Sequence, residues 1–163
     1  MLFERGGSIA YNIYDVLDKL IIIENKSIGM YKQIAATKNE YPSIKIVAKV
    51  LAREEEKHVK SYDNLKESLK EKELDEIDFD VYDKISGLIS EFQSRIIMPN
   101  IYNVKDLVLA ALVLESQYLA LLVDIQGRMV KKKEDVERIS YKVLEGLLED
   151  EKKRINNLKV FLA

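Results

Sequence analysis

The segment Leu51–Val59, LAREEEKHV, decides how this chain is expected to fold. Leu51, Glu55 and Val59 are spaced four residues apart, and this spacing places side chains on one face of an α-helix. Glu55 therefore interrupts an apolar face that packs against a core, and His58 lies three residues further along the same face. Because an unpaired buried charge is costly, the segment predicts a compensating positive charge inside the protein.

The same arrangement recurs in three other segments of the chain. In each, one glutamate has apolar residues four positions before it and four positions after it; these glutamates are Glu24, Glu115 and Glu151. The apolar stripes continue for about two turns on both sides, so each acid is expected near the middle of a helix, facing the core. The repetition implies two similar helix pairs related by a pseudo-two-fold axis.

Four long helices are predicted from the helical spacing of apolar residues, since alternating patterns typical of strands are not sustained. They span approximately residues 8–37, 42–72, 103–126 and 134–162. The long connection 73–102 carries apolar residues at helical spacing over 81–97, which predicts a crossover with a shorter extra helix. A long second connection between short first and third ones is typical of ferritin-like bundles. We therefore expect an all-α fold, a ferritin-like four-helix bundle, as a single domain over 1–163.

Local signals support three of the predicted helix ends. Pro42 suits the first turn of the second helix. Asn103 with Asp106 three residues later is similar to a capping box, which predicts the start of the third helix. Gly127 is a plausible stop for that helix. The basic run 131–133 is followed by two acids and is expected to form a solvated turn between helices.

The composition limits the class of protein. The chain has 163 residues, of which 47% are hydrophobic and 33% charged, and this is enough for one core and a polar surface. Its formal net charge is −2, with basic and acidic residues interspersed, so no nucleic-acid partner is expected. The absence of cysteine excludes disulfides, iron–sulfur clusters and a cysteine nucleophile. The longest clean apolar run, Leu107–Leu114, is too short to cross a bilayer, so we expect no membrane partner and a cytoplasmic location.

Four buried carboxylates, one per helix, require a shared compensating charge, and a pair of metal ions inside the bundle would supply it. The known ligand set of a two-metal site in a helix bundle is two glutamates plus two Glu-x-x-His pairs that project into the core. The chain has the first pair in Glu55 and His58. At the second position, Glu151 is followed three residues later by Arg154.

Taken together, these motifs resemble those of the rubrerythrin-type, ferritin-like di-iron carboxylate proteins. Glu24 with Tyr31 seven residues later resembles their first-helix motif, and Glu54-Glu55-x-x-His58 resembles their second-helix motif. Glu115 is similar to the third-helix ligand, and Asp150–Arg154 is similar to the fourth-helix motif except at its last residue. The resemblance covers the four helices but not the crossover, and its specificity lies in the combined spacing.

The resemblance implies iron (or manganese) as the cofactor, with one ion held by Glu24, Glu55, His58 and Glu151. A second ion would use Glu115 and a histidine at the position of Arg154. Because a guanidinium cannot ligate a metal, this second position is altered. Tyr118 weakens it further, since many proteins of this family carry an additional glutamate three residues after the third-helix ligand.

The charges favour one metal ion over two. Four carboxylates are balanced by Arg154 together with one trivalent ion, and nearly balanced by Arg154 with one divalent ion. Without metal, Arg154 and a protonated His58 leave excess negative charge, so some of the acids would have to be protonated. The preferred hypothesis is a one-metal site in which Arg154 pairs with Glu115.

Simpler interpretations remain open for the individual residues. His58 is equally well read as an ordinary half-buried histidine, and the acids as buried ion-pair partners of Arg154. Arg154 itself has the alternative of extending outward to solvent. For Tyr31, Tyr62 and Tyr118, core packing with a hydrogen-bonded hydroxyl is favoured over a redox role.

The functional expectation is a metal-binding protein linked to peroxide or oxygen chemistry, which would take electrons from a separate donor. The alternative is a metal-free helical bundle that acts as a binding or assembly module. An iron-storage cage is the least favoured, because a nearly intact two-metal site would be expected there. Off-stripe apolar residues predict a homodimer or contacts with the crossover helix; they are Ile22, Ile23, Leu109 and Val113.

Overall fold

The computed structural model describes residues 3–5, 8–38 and 40–162. The described residues form five α-helices: α1 (Ile13–Thr37), α2 (Pro42–Leu69), α3 (Phe79–Ser94), α4 (Val104–Arg128) and α5 (Ile139–Val160). A short antiparallel hairpin of β1 (Phe3–Arg5) and β2 (Ser8–Ala10) precedes them, and a 3₁₀ helix (Lys133–Glu137) precedes α5. The predicted all-α class is confirmed.

Helix α1 begins at Ile13, so the predicted start near Ser8 is wrong. The Asn12 side chain accepts a hydrogen bond from the Tyr14 N–H (2.9 Å), while the Asp15 carboxylate accepts one from the Asn12 N–H (3.0 Å). This reciprocal cap satisfies N–H groups that the first helical turn leaves unpaired. Ser8–Ala10, which were predicted to begin the helix, instead form β2 and pair with β1.

The predicted end of α1 at Thr37 and start of α2 at Pro42 are confirmed, and the remaining helix ends differ by one to five residues from the observed ones. The Asn103 side chain caps α4 as predicted, accepting a hydrogen bond from the Asp106 N–H (2.8 Å). The helix continues past Gly127 to Arg128. Helix α2 ends at Leu69, three residues early. Helix α5 begins five residues later than expected, because Asp135 accepts hydrogen bonds from two backbone N–H groups and holds a 3₁₀ turn.

The crossover between α2 and α4 carries α3, which confirms the predicted extra helix. Its apolar side packs against α1 and α4, and it buries Ile85, Ile89 and Phe92. The four long helices form two pairs, α1 with α2 and α4 with α5, and further contacts join α1 to α5 and α2 to α4. The predicted long connection therefore covers one side of the long helices.

The buried apolar residues form two clusters along the long helices. The first cluster contains Leu17 and Leu20 of α1, Tyr62 of α2, Leu122 of α4 and Leu144 of α5. The second cluster lies beyond the glutamates on α1, α2 and α4, and its members include Ile34, Ala48 and Leu107. In α2 and α4 the chain passes from the second cluster to the first, whereas α1 passes the other way. Helices α2 and α4 therefore run in the same direction, opposite to α1.

One helix in the described part of the chain, α4, is long and apolar enough to cross a membrane by length and composition alone. Leu107, Leu122 and Ile125 of this helix are fully buried in the core. A core helix passes the same test, so this finding is weak support for a membrane span.

Candidate functional site

A layer of four glutamates lies between the two apolar clusters. Each comes from a different long helix, and each is almost completely buried, with exposed fractions of 2% for Glu24, 3% for Glu55, 5% for Glu115 and 1% for Glu151. The helical spacing predicted that all four acids face the interior, and their burial confirms it. Four carboxyl groups between apolar clusters must be neutralised by neighbouring groups, because isolated buried charges are strongly unfavourable.

Arg154 supplies positive charge to this carboxylate layer. Its Nη2 lies 2.5 Å from Glu55 Oε1, and its Nη1 lies 3.2 Å from both Glu115 Oε2 and Glu151 Oε2. The predicted pairing of Arg154 with Glu115 is therefore present. The alternative in which Arg154 extends to solvent is wrong, since its side chain is only 14% exposed. The fork of guanidinium donors lets one side chain bind three carboxylates from three helices.

His58 lies at the edge of the carboxylate layer. Its Nδ1 is 3.9 Å from Glu24 Oε1, which is longer than a hydrogen bond. Burial, together with the positive charge of Arg154, lowers the pKa of His58 to about 4. The imidazole is therefore neutral at pH 7, and this is the form that a metal ligand requires. Its ring meets the Tyr62 ring edge-on, with centroids 6.4 Å apart.

Burial and neighbouring carboxyl groups shift the pKa values of these glutamates in different directions. Burial, reinforced by a hydrogen bond to Glu55, raises the pKa of Glu24 well above its usual value. Burial and a hydrogen bond to Glu151 do the same for the pKa of Glu115. Burial opposes ionisation of Glu55, but the hydrogen bond from Glu24 and the charge of Arg154 hold its pKa below the usual value. Glu24 and Glu115 therefore favour the neutral carboxyl form, whereas Glu55 favours the ionised form.

Two buried oxygens beside this network have no hydrogen-bond partner among the described residues, Glu151 Oε1 and Tyr31 Oη. Glu151 binds Arg154 through its other oxygen only, and Glu55 also gives Arg154 a single oxygen. Both residues, together with Glu24 and His58, are the ones that the resemblance assigns to the first metal. An unpartnered buried carboxylate oxygen calls for a further cation or donor, so this donor set fits one metal ion chemically.

The present side-chain geometry does not form a ready-made metal cage. Within 3–5, 8–38 and 40–162, no group of three or more histidine, aspartate or glutamate side chains is arranged to hold a metal ion. Glu24 and His58 are 3.9 Å apart at their nearest polar atoms. Metal binding would therefore require His58 and the carboxylates to close around the ion.

Two tyrosines form a second polar contact beside the glutamates. Tyr62 Oη and Tyr118 Oη lie 2.5 Å apart, and both side chains are buried. Burial raises the pKa of both phenols well above the usual value. The expected hydrogen-bonded hydroxyl is thus present in Tyr62 and Tyr118. The prediction of a hydrogen-bonded hydroxyl is wrong for Tyr31, because this hydroxyl has no hydrogen-bond partner in the described structure.

A cavity of about 690 Å³ opens between α2 and α5 and extends inward to His58, Tyr62 and Glu151. It was not predicted from the sequence, because α2 and α5 are far apart in the chain. The only local signal was Gly146, a residue without a side chain in the middle of α5. The cavity gives solvent and small molecules a route to the edge of the carboxylate layer.

Comparison of the chain with protein-family models, curated proteins and solved structures finds no match.

Proposed function

We propose that this chain is a ferritin-like four-helix bundle that binds a single iron or manganese ion, with Arg154 replacing the second ion. The observation that carries the proposal is the way Arg154 divides the carboxylate oxygens. It binds one oxygen each of Glu55, Glu115 and Glu151, and it leaves Glu151 Oε1 buried with no hydrogen-bond partner among the described residues.

The helix directions support the ferritin-like part of this proposal. Helices α2 and α4 run in the same direction, so the chain must return along the whole bundle between them. The connection that contains α3 makes this return, as the single long crossover of ferritin-like folds does. Each of the four long helices also contributes one buried glutamate at the same level.

Four side chains would hold the ion: Glu24, Glu55, His58 and Glu151. Iron or manganese bound there supplies redox chemistry with oxygen or peroxide. The protein's own contribution is to keep His58 neutral, to hold Glu55 and Glu151 through Arg154, and to shield the site between apolar clusters. In the absence of a cysteine-ligated redox centre, electrons would come from a separate donor protein.

The fixed charge of Arg154 explains why one ion suffices. A guanidinium remains protonated at any physiological pH, so it neutralises one carboxylate permanently. It also occupies the space beside Glu115 where a second cation would lie. A like charge so close disfavours a second divalent ion, whatever the ligands available.

Metal content measured after purification without chelator tests the proposal. We expect one equivalent in the wild type, loss of most metal in His58→Ala, and a second equivalent in Arg154→His. Glu54→Gln is the matched control, because Glu54 neighbours Glu55 but is exposed and pairs with Lys57 on the surface. Equal metal content in all four proteins would refute the site assignment.

A metal-free bundle acting as a binding or assembly module is the second candidate. It is favoured by the raised pKa values of Glu24 and Glu115, because a neutral carboxyl group needs no cation, and by the positive charge that Arg154 already supplies. Wild-type protein that folds with full stability and contains no metal would favour this function. In that case the cavity between α2 and α5 would be the first place to look for a ligand.

A homodimer is part of both candidates. Three apolar side chains off the core stripes are exposed, namely Ile22, Leu109 and Val113, whereas Ile23 is buried in the cluster that includes α3 residues. Ile23 is therefore part of the core, and the other three remain available for a second copy. Native mass would also separate a dimer from the large shell of an iron-storage cage.

A further inference from the structure

The cavity between α2 and α5 has the dimensions of a site for an elongated small molecule. Its volume of about 690 Å³ falls within the range of about 300–1,000 Å³ typical of ligand sites. Its lining extends along α5 from Ile139 to Glu151, a distance of about 18 Å at 1.5 Å per helical residue. It follows α2 over a similar length, from His58 to beyond Leu69.

The walls of this cavity are mainly apolar. Leu65 and Leu69 line it from α2, and Val143 and Leu147 line it from α5. Leu65, Val143 and Leu147 are only partly buried, because α5 and α2 leave a gap where tighter helix packing would cover them. An alkyl chain in this gap would remove their remaining apolar surface from water, which is favourable.

The charges at the two ends of the cavity are opposite. Lys72 and Lys142 lie at the end formed by the start of α5, while Asp150 and Glu151 lie at the inner end. Lys72 forms no ion pair with the other described residues, and Lys142 has only an exposed pair with Glu137, at 3.2 Å. Such exposed pairs are weak and exchange partners readily. An anionic group is therefore attracted to the lysine end and repelled from the acidic end.

Gly146 keeps the middle of the cavity open. It lines the cavity from the interior of α5, and a Cβ atom added there would meet no atom within 4 Å. Glycine within a helix is less favourable than alanine, because it loses more conformational freedom on folding. Gly146 therefore makes α5 less stable than an alanine would, but it leaves space beside Val143 and Leu147.

We propose that the cavity between α2 and α5 binds a long-chain carboxylate. The carboxylate lies between Lys72 and Lys142, and the alkyl chain extends past Leu69 and Leu147 toward His58. This site does not require a metal ion, so its test is independent of the proposed metal-binding function.

The test is a calorimetric titration of myristate, below its aggregation concentration, into the full chain with chelator present. We expect saturable binding of one myristate per chain. In Gly146→Phe the new ring fills the cavity, and binding should weaken at least about tenfold. Gly87→Phe is the matched control, because Gly87 on α3 also has open space around its Cβ position and lies outside the cavity. Its affinity should equal that of the wild type.

Two further experiments test whether the two lysines bind the carboxylate and whether the ligand is a free fatty acid or a membrane lipid. The pair Lys72→Glu/Lys142→Glu should lose binding, whereas Lys152→Glu/Lys153→Glu, with the same charge change outside the cavity, should retain it. Tetradecanol should bind more weakly than myristate, and phosphatidylserine vesicles should not bind. Equal binding by Gly146→Phe and wild type, or by tetradecanol and myristate, would overturn the proposal. So would binding of vesicles without binding of myristate. Thermal melting of each variant confirms that it is folded.

Discussion

Arg154 Nη1 lies 3.2 Å from Oε2 of Glu151, three residues earlier on the same helix, while Oε1 of that glutamate is buried with no hydrogen-bond partner in the described part of the chain. One carboxylate thus has one oxygen neutralised by a guanidinium and one oxygen that is not. Arg154 thus supplies positive charge to the carboxylate layer, and as a guanidinium it cannot itself ligate a metal. These two properties of Arg154 can be separated by experiment.

Replacing Arg154 by methionine should strongly destabilise the metal-free protein. The side chain keeps a similar length, but Glu55, Glu115 and Glu151 lose their shared cation. Breaking a buried ion pair by removing one partner costs about 3–5 kcal/mol. Urea unfolding with chelator present measures this change.

Arg128→Met is the control for that experiment, because Arg128 pairs with Asp124 at 3.0 Å on the surface. Exposed pairs contribute about 0–1 kcal/mol, so this variant should be nearly as stable as the wild type. Similar losses of stability in the two variants would contradict the central position of Arg154.

The stability of the metal-free protein should fall as the pH rises above the usual carboxyl pKa of 4.5. The pKa of Glu24 and of Glu115 is raised in the folded state, so each favours folding below its unfolded pKa, and this contribution is lost as the pH rises through the folded pKa. Glu115→Gln keeps a neutral hydrogen-bond donor and should flatten this dependence. Melting temperatures between pH 5 and pH 9 with chelator present would show it, and identical slopes in both proteins would refute it.

His58 should produce the opposite pH dependence on the acidic side. Its pKa falls from 6.5 to about 4 in the folded protein, so its contribution is complete above pH 6.5 and is lost as the pH falls toward 4. His58→Gln, compared with wild type in urea unfolding at pH 4.5 and pH 7, should lose less stability on acidification. A larger loss in the variant would contradict the buried neutral imidazole.

The hydrogen bond between Tyr62 and Tyr118 should be energetically coupled. Tyr62→Phe leaves the Tyr118 hydroxyl buried without its partner and should cost about 1–3 kcal/mol. The double variant with Tyr118→Phe should cost less than the sum of the single ones, as contacting residues do in a double-mutant cycle. Tyr31→Phe is the control, because the Tyr31 hydroxyl has no partner in the described structure and its removal should be neutral in the metal-free protein. A cost as large as that of Tyr62→Phe would count against this network.

A charge on the exposed side of α4 should prevent the proposed dimer. Val113 is 55% exposed on a helix that also exposes Leu109 and Val123. Val113→Arg should therefore convert a dimer to a monomer in light-scattering measurements. Ile46→Arg, a change at an exposed apolar residue on α2, should leave the mass unchanged. A wild-type protein that is monomeric at high concentration would contradict the proposed dimer.

The sequence by itself determined which faces of the long helices are buried and which residues interrupt them. Apolar residues four positions on either side of Glu24, Glu55, Glu115 and Glu151 leave no other orientation for these acids if the helices form. The crossover helix followed from the same periodicity. The exact start of α1 could not be predicted from this periodicity, because the pairing of β2 with β1 competes with helix formation before Asn12.

The tertiary structure alone decided what neutralises the carboxylates. Arg154 had two directions open to it, and local spacing does not choose between them, because a long side chain can reach either solvent or the core. Three carboxylates from α2, α4 and α5 must come together before the interior becomes the favourable direction. The cavity is likewise non-local, since it arises from the distance between α2 and α5, two helices that no short stretch of sequence connects.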